Sequence, residues 1–291
     1  MELTLGPIPY FWEKQTVIDF YAQVAESPFD TVVLGETVCS KRRQLNRRDW
    51  LEIAQVLRQH GKQVLMATLA LIEAESELGA LRALCQEASE LGILVEANDY
   101  AAVHLLSSAG LPFAGGASLN LYNANSLKVL RDMGLVRWQP PLEASRDQIA
   151  SILEGQPEGL CTDLMVWGFM TLAYSARCYT ARVHGVAKDE CGFVCLQHPQ
   201  GLKAASQDGT ELFTLNGIQT QSGRPLDLRG IWQEARAIGV SSLRLTADGP
   251  AALDRVRELK RAIDGDIPLG PNTRLNTCNG YWHRIAGMAS A

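Results

Sequence analysis

Apolar runs of strand length alternate with amphipathic helical stretches from one end of the chain to the other, and no other feature narrows the fold as far. A buried parallel strand reads as a short continuous apolar run, and its crossover helix as an apolar stripe at three- and four-residue spacing. Eight such runs stand out: Leu3 to Leu5, Thr31 to Leu34, Gln63 to Ala67, Ile93 to Glu96, Pro112 to Ala114, Val136 to Trp138, Asp163 to Val166 and Ser242 to Leu245. Helical stripes fill most of the gaps, as at Trp50, Ile53, Ala54, Val56 and Leu57, or at Ala252, Leu253, Val256 and Leu259 after Pro250. Gly61, Gly92, Gly134 and Gly239 close helical stretches where a left-handed C-cap would lead into the next strand. Eight βα units in 291 residues predict an α/β fold of the (β/α)8 TIM-barrel type, with residues 1–291 as a single barrel domain. A doubly wound open sheet is the alternative, and it turns on the strands at Pro112 and Val136. No GxGxxG follows a strand and no GxxxxGK[ST] is present, so neither dinucleotide nor P-loop phosphate binding is signalled.

One connection breaks the rhythm. Roughly 60 residues separate the seventh run from the helical stretch at Ile231 to Ile238, far more than a βα loop needs. This insertion, residues 168–230, is expected to cap the barrel mouth. Within it, Lys203 to Ser206 and Glu211 to Leu215 flank Asp208-Gly209, which predicts a small hairpin.

A net charge of -5 lacks the basic excess that sustained contact with a phosphate backbone needs, so nucleic acid is not the expected partner. The start Met1-Glu2-Leu3-Thr4 has neither the basic nor the apolar segment of a secretory signal, and no long uninterrupted apolar run is present. A cytoplasmic protein without membrane insertion is expected. Seven cysteines, an odd number, then argue against a disulfide framework.

Cys178, Cys191 and Cys195 lie in the insertion, the last two as Cys-x3-Cys, and Cys39 follows the second strand. A barrel gathers the segments after its strands at one face, which would bring all four together. Four thiolates without a histidine pair suit either tetrahedral zinc or a [4Fe-4S] cluster, and ligand type alone does not choose. A free cysteine is otherwise a small buried hydrophobe. Cys85, among Leu81, Leu84 and Leu91, and Cys161, just before a strand, are read that way. Cys278, in Cys278-Asn279-Gly280-Tyr281-Trp282-His283-Arg284, belongs to a tail that would pack under the barrel or reach the site. Lys41, Arg42 and Arg43 are either cations beside thiolates or a solvated basic turn. Glu36, Thr68, Asn98 and Asp99 end or follow strands at the same rim, although helix capping also explains Asn98 and Asp99. None of the five histidines shows a metal-binding spacing; His198 is nearest the cysteines.

The stretch from Asp163 to Cys178, DLMVWGFMTLAYSARC, resembles the signature of the collagenase-like peptidase superfamily, roughly E-x-F-x-H-G-A-M-C-x-x-x-S-G-x-C. Gly168, Met170, Ser175 and Cys178 keep the pattern. Trp167 stands for the usual histidine, Thr171 for the first cysteine and Ala176 for a glycine. Together with GETVCSKRR around Cys39, the Cys191/Cys195 pair and the CNGYWHR tail, this pattern is similar to a branch of the superfamily that serves oxygen-independent ubiquinone biosynthesis. That resemblance implies a [4Fe-4S] cluster on Cys39, Cys178, Cys191 and Cys195, with Cys39 replacing the lost motif cysteine. It implies a heterodimer with a paralogue, UbiU, that hydroxylates the ubiquinone precursor ring, prephenate as oxygen donor, and a lipid-binding protein, UbiT, presenting the precursor. It assigns no catalytic residue. With Trp167 and Thr171 altering the groups expected closest to the chemistry, the chain is expected to act as a subunit and not as an active protease; it carries no GxSxG or HExxH. Tyr281 and Trp282 would, if exposed, anchor a partner, although core packing explains them equally well. A peptidase, an RNA-base hydroxylase and a zinc-stabilised scaffold are the competing readings.

Overall fold

Eight parallel strands close on themselves. In the computed structural model, which describes residues 1–270 and 276–291, they are β1 (Glu2–Leu5), β2 (Thr31–Leu34), β3 (Gln63–Ala67), β4 (Leu94–Ala97), β5 (Phe113–Gly115), β6 (Leu135–Trp138), β7 (Cys161–Gly168) and β13 (Ser242–Leu245). Each pairs with its neighbour in chain order, β13 lies between β7 and β1, and β6 to β7 pairing shuts the ring. The fold is therefore the expected (β/α)8 barrel and the open-sheet alternative is excluded. The strands at Pro112 and Val136 exist, shifted by one residue to begin at Phe113 and Leu135.

Helices α1 (Lys14–Ala25), α2 (Arg47–Gln59), α3 (Glu75–Glu90), α4 (Tyr100–Ser108), α5 (Ala124–Asp132) and α6 (Arg146–Gly155) follow the first six strands, and α9 (Ala251–Asp264) follows β13. Their apolar stripes, such as Ile53, Ala54 and Leu57 of α2 or Leu253, Val256 and Leu259 of α9, bury against the outer face of the strands. The four predicted C-cap glycines all take positive φ, from +60° at Gly92 to +109° at Gly134. Asp99 caps α4, its carboxylate accepting from the Ala101 N–H at 2.7 Å.

The barrel lumen is a second core of different character. One half is apolar, built from Val33, Leu65, Ala67 and Ala114. The other half is charged. Arg244 donates to both oxygens of Glu96 (2.5 and 3.0 Å) and to Asp163 (3.4 Å), while Arg137 bonds Glu2 (3.1 Å) and Thr4 (2.6 Å) and lies 3.5 Å from Asp163. Buried charges at this density persist only when paired in this way.

The insertion is more than one hairpin. Strands β8 (Thr171–Tyr174), β9 (Leu202–Ala205), β10 (Glu211–Asn216) and β11 (Gln219–Ser222) form an antiparallel sheet in the order β8-β11-β10-β9. The predicted Asp208-Gly209 turn joins β9 to β10, and the short helix α7 (Tyr179–Val183) sits between β8 and β9. A short β12 (Leu226–Asp227) then pairs antiparallel with the end of β7, and α8 (Trp232–Ala237) leads to β13. Beyond its hairpin the sheet is hard to read from sequence because Thr171–Tyr174 and Gln219–Ser222 are only four residues each and Gln219–Ser222 is polar throughout.

One strand boundary shifts, and two placements left open by the sequence resolve. Cys161 is the first residue of β7, not a residue before it. Trp282 is 2% exposed and its indole N–H points to Glu234 at 3.4 Å, so it is a core anchor for the tail and not an exposed contact for a partner; Tyr281 packs partly buried against the same core. Cys278 is buried beside β12 and its thiol faces the Arg224 carbonyl at 3.7 Å, away from the other cysteines. Among the described residues no helix is long and apolar enough to cross a membrane.

Candidate functional site

The loop after β2 and the first half of the insertion meet at one side of the barrel mouth. There Cys39, Cys178, Cys191 and Cys195 line a single small cavity, with Lys41, Arg42, Lys188 and Gly217 among its other walls. Each cysteine is held by local backbone geometry. The Glu36 carboxylate accepts from the N–H groups of Val38 (2.8 Å) and Cys39 (3.1 Å), which folds the loop back on itself. Cys178 caps α7, its sulfur accepting from the Ala181 N–H at 3.4 Å. Between Cys191 and Cys195 the chain turns through positive φ at Gly192 (+54°) and Phe193 (+58°). That reversal keeps the two sulfurs on one side. Among the described residues no three His, Cys, Asp or Glu side chains converge as a single ion would require.

The basic run beside Cys39 divides by role. Arg42 is buried and pinned, donating to the Pro9 carbonyl (2.8 Å) and to Asn216 Oδ1 (2.7 Å), with Glu36 at 3.8 Å. Lys41 reaches across to the insertion and bonds Asp189 (2.6 Å) and the Lys188 carbonyl (3.1 Å), while Lys188 bonds Glu73 and the Ala176 carbonyl (2.9 Å). These contacts latch the Cys191 segment to the barrel. Burial pushes the Cys39 and Cys195 thiols upward, and Arg42 opposes that rise at both. Burial also raises the Glu36 carboxyl. His198 is not among the cavity walls; its Nε2 lies 2.8 Å from His184 Nε2 on the exposed side of the insertion.

A second cavity, of 320 Å³, opens at the C-terminal mouth of the barrel. Strand-end residues Glu96, Asn98, Gln139, Met165, Arg244 and Thr246 meet insertion residues Thr171, Tyr174, Gln219 and Gln221 there. Its walls are mostly polar. The two cavities are joined by a buried chain of hydrogen bonds: Arg42 donates to Asn216, Asn216 Nδ2 donates to Gln219 Oε1 (2.9 Å), and Gln219 Nε2 donates to Thr171 Oγ1 (2.7 Å) and Tyr174 OH (3.3 Å). Of the rim residues singled out in the sequence, Asn98 faces the mouth, Thr68 positions it by accepting the Asn98 N–H at 2.9 Å, and Asp99 only caps α4.

Trp167 does not belong to either cavity. Pairing of β7 with β13 slips between Arg244 and Leu245, so Val166 is an extra residue and Trp167 stands opposite outward-facing Leu245. A one-residue bulge reverses which face a side chain takes. The indole lies under α9, donating to Asp248 at 2.8 Å with the Arg255 guanidinium 3.9 Å from its centroid. Of the three substitutions in the signature, Trp167, Thr171 and Ala176, only Thr171 lines the mouth. Gly168 ends the same strand at φ +132°, where a Cβ would meet Thr246 Oγ1 at 2.2 Å, so a side chain has no room.

The family model for peptidase family U32 matches residues 17–245. The chain belongs to that family. Solved structures are similar at low identity: the U32 peptidase Mk0906 (12% identity, 86% of this chain and 94% of that one, TM-score 0.49), tryptophan synthase from M. tuberculosis (10%, 92% and 93%, 0.49), and dihydropteroate synthase from Thermus thermophilus (12%, 90% and 94%, 0.43). The barrel itself rests on the strand pairing described above. For this U32 member the family model spans β2 to β13, and so every wall of the cysteine cavity and most walls of the mouth.

Cysteines outside the cavity should be chemically silent. Burial pushes the Cys85 and Cys161 thiols up to about 11. At pH 8 roughly one in a thousand of each would be thiolate, against about one in four for an ordinary cysteine. Iodoacetamide applied to the metal-free native protein is expected to leave both unmodified, and to label them only after denaturation. Peptide mass mapping reads this directly, and labelling of Cys85 in the native protein at an ordinary rate would contradict the burial.

Proposed function

We propose that this U32 member is of the UbiV type: a [4Fe-4S] subunit that acts with UbiU in oxygen-independent hydroxylation of the ubiquinone precursor ring. The observation that carries the reading is that Cys39, Cys178, Cys191 and Cys195, from separate segments, line one cavity beside the barrel mouth. The donor set fits the group. Four thiolates are what a [4Fe-4S] cluster takes, and Lys41, Arg42 and Lys188 offset the negative charge of an all-thiolate site. A tetrahedral zinc with bonds near about 2.3 Å would draw all four sulfurs onto one ion.

When bound, the cluster would supply electron transfer or order the mouth. The chain's own residues do the rest. Arg42 holds the Cys39 loop against Asn216, and Asn216 fixes the Gln219 amide that faces the mouth. The mouth presents the amides of Asn98, Gln139 and Gln221, suited to the carboxylates and hydroxyl of a donor such as prephenate. UbiU would supply the catalytic groups that Thr171 lacks, and UbiT the hydrophobic precursor. A strain lacking this chain is expected to lose ubiquinone during anoxic growth and to keep it in air. Quinone content measured under both conditions is the test; a defect of equal size in air, or normal quinone without oxygen, would refute the assignment.

A further inference from the structure

The ring of helices opens between α2 and α3. α1 packs against α2 and α3 against α4, whereas α2 and α3 barely touch. Between them lies a cavity of 500 Å³, larger than the one at the barrel mouth and almost entirely apolar. Trp50 and Leu51 of α2, Leu81 and Leu84 of α3, and Leu69 and Ile72 of the loop after β3 supply its walls. Polar bridges cross the gap, from Arg47 at the start of α2 to Glu87 at 3.0 Å and from Arg58 near its end to the Leu91 carbonyl at 2.8 Å. Open apolar clefts in the range of about 300 to 1,000 Å³ are what small ligands need.

The mouth of the cavity says which ligand. Arg43 lines it, is exposed, and among the described residues has a bond only to the Ser40 carbonyl (3.0 Å) and no carboxylate partner. The other charges lining it have partners: Arg47 has Glu87, Arg42 has Glu36 at 3.8 Å, and the Glu77 carboxylate accepts from Ser40 (2.6 Å) and the Glu73 and Ala74 N–H groups. An apolar chamber with one unpaired cation at its entrance is complementary to an amphiphile with a single apolar chain and an acidic head. We propose that the cleft between α2 and α3 binds such a molecule, chain inward and head at Arg43. The segment Cys39–Arg43 separates the two sites, with Cys39 and Lys41 on the cysteine cavity and Ser40 and Arg43 on the apolar one. The inference stands on this geometry alone and does not require the cluster or the quinone reading.

Calorimetry of the full chain with straight-chain carboxylates tests it, since it needs neither iron nor activity. Saturable one-to-one binding of dodecanoate is expected, tightening about fourfold per added methylene from octanoate to dodecanoate. Dodecyltrimethylammonium is expected to bind at least about tenfold more weakly, and Arg43→Glu to erase that preference. Ala80→Trp and Leu51→Trp, on opposite walls, should each abolish binding while thermal unfolding stays as in the wild type. No saturable dodecanoate binding, affinity independent of chain length, or undiminished binding by both tryptophan variants would overturn the site. Equal affinity for the two head groups would overturn its assignment to an acidic amphiphile.

Discussion

Alanine at any one of Cys39, Cys178, Cys191 or Cys195 is expected to leave a colourless protein, where the anaerobically purified wild type absorbs broadly at about 400 nm and holds roughly four irons per chain. The effect should be all or none. In a cubane each thiolate holds a different iron, so losing one exposes a corner of the cluster to solvent and oxidant; among the described residues no fifth cysteine lies on the cavity to replace it. Alanine at Cys85, Cys161 or Cys278 should leave iron and sulfide unchanged. Cys85 faces the outer core from α3, Cys161 begins β7 at the opposite end of that strand from Gly168, and Cys278 is held beside β12. Iron and acid-labile sulfide per chain decide the matter. Stoichiometric zinc in a colourless wild-type protein, or loss of iron from the Cys85 variant, would mean that the ligand set or the metal is wrong.

The barrel was legible in the sequence because its strands are buried on both faces, and such strands advertise themselves as unbroken apolar runs. Legibility failed where that logic stops. Thr171–Tyr174 and Gln219–Ser222 belong to a sheet outside the barrel; the first is too short to show alternation and the second has no apolar residue to show it. Trp167 was placed at the chemistry by its match to the histidine of the family signature, yet the bulge at Val166 turns it to the helices, and nothing local in the sequence announces a bulge. The cysteines could be grouped from topology because the loops that follow barrel strands share a rim. The chain Arg42, Asn216, Gln219 could not, because its members are 174 and 3 residues apart and meet only in space. A signal for the charged lumen was present and went unused: Glu96, Arg137, Asp163 and Arg244 each interrupt an otherwise apolar run, which in a strand buried on both faces requires a buried partner.

That lumen yields the largest expected change in stability. Arg244, Glu96 and Asp163 are each buried, with side chains 8%, 4% and 2% exposed, and Arg244 is the only cation within ion-pair distance of Glu96 among the described residues. Arg244→Met would leave a carboxylate in the lumen without a counter-charge, a change that costs about 3–5 kcal/mol. For a chain of this size that is a fall of roughly 10 °C in the unfolding midpoint. Asp163 would fare better, since Arg137 still stands 3.5 Å away. The double variant Arg244→Met with Glu96→Met removes both members of the pair and replaces them with apolar volume, which for buried pairs is often close to neutral. It should therefore regain most of the loss, and the difference between single and double variants separates the penalty of a stranded charge from the net contribution of the pair. Thermal unfolding of the three proteins supplies the numbers. A fall of only a degree or two in Arg244→Met would show that water reaches Glu96 from the mouth cavity, whose wall both residues share, and that the lumen is wetter than its hydrogen bonds suggest.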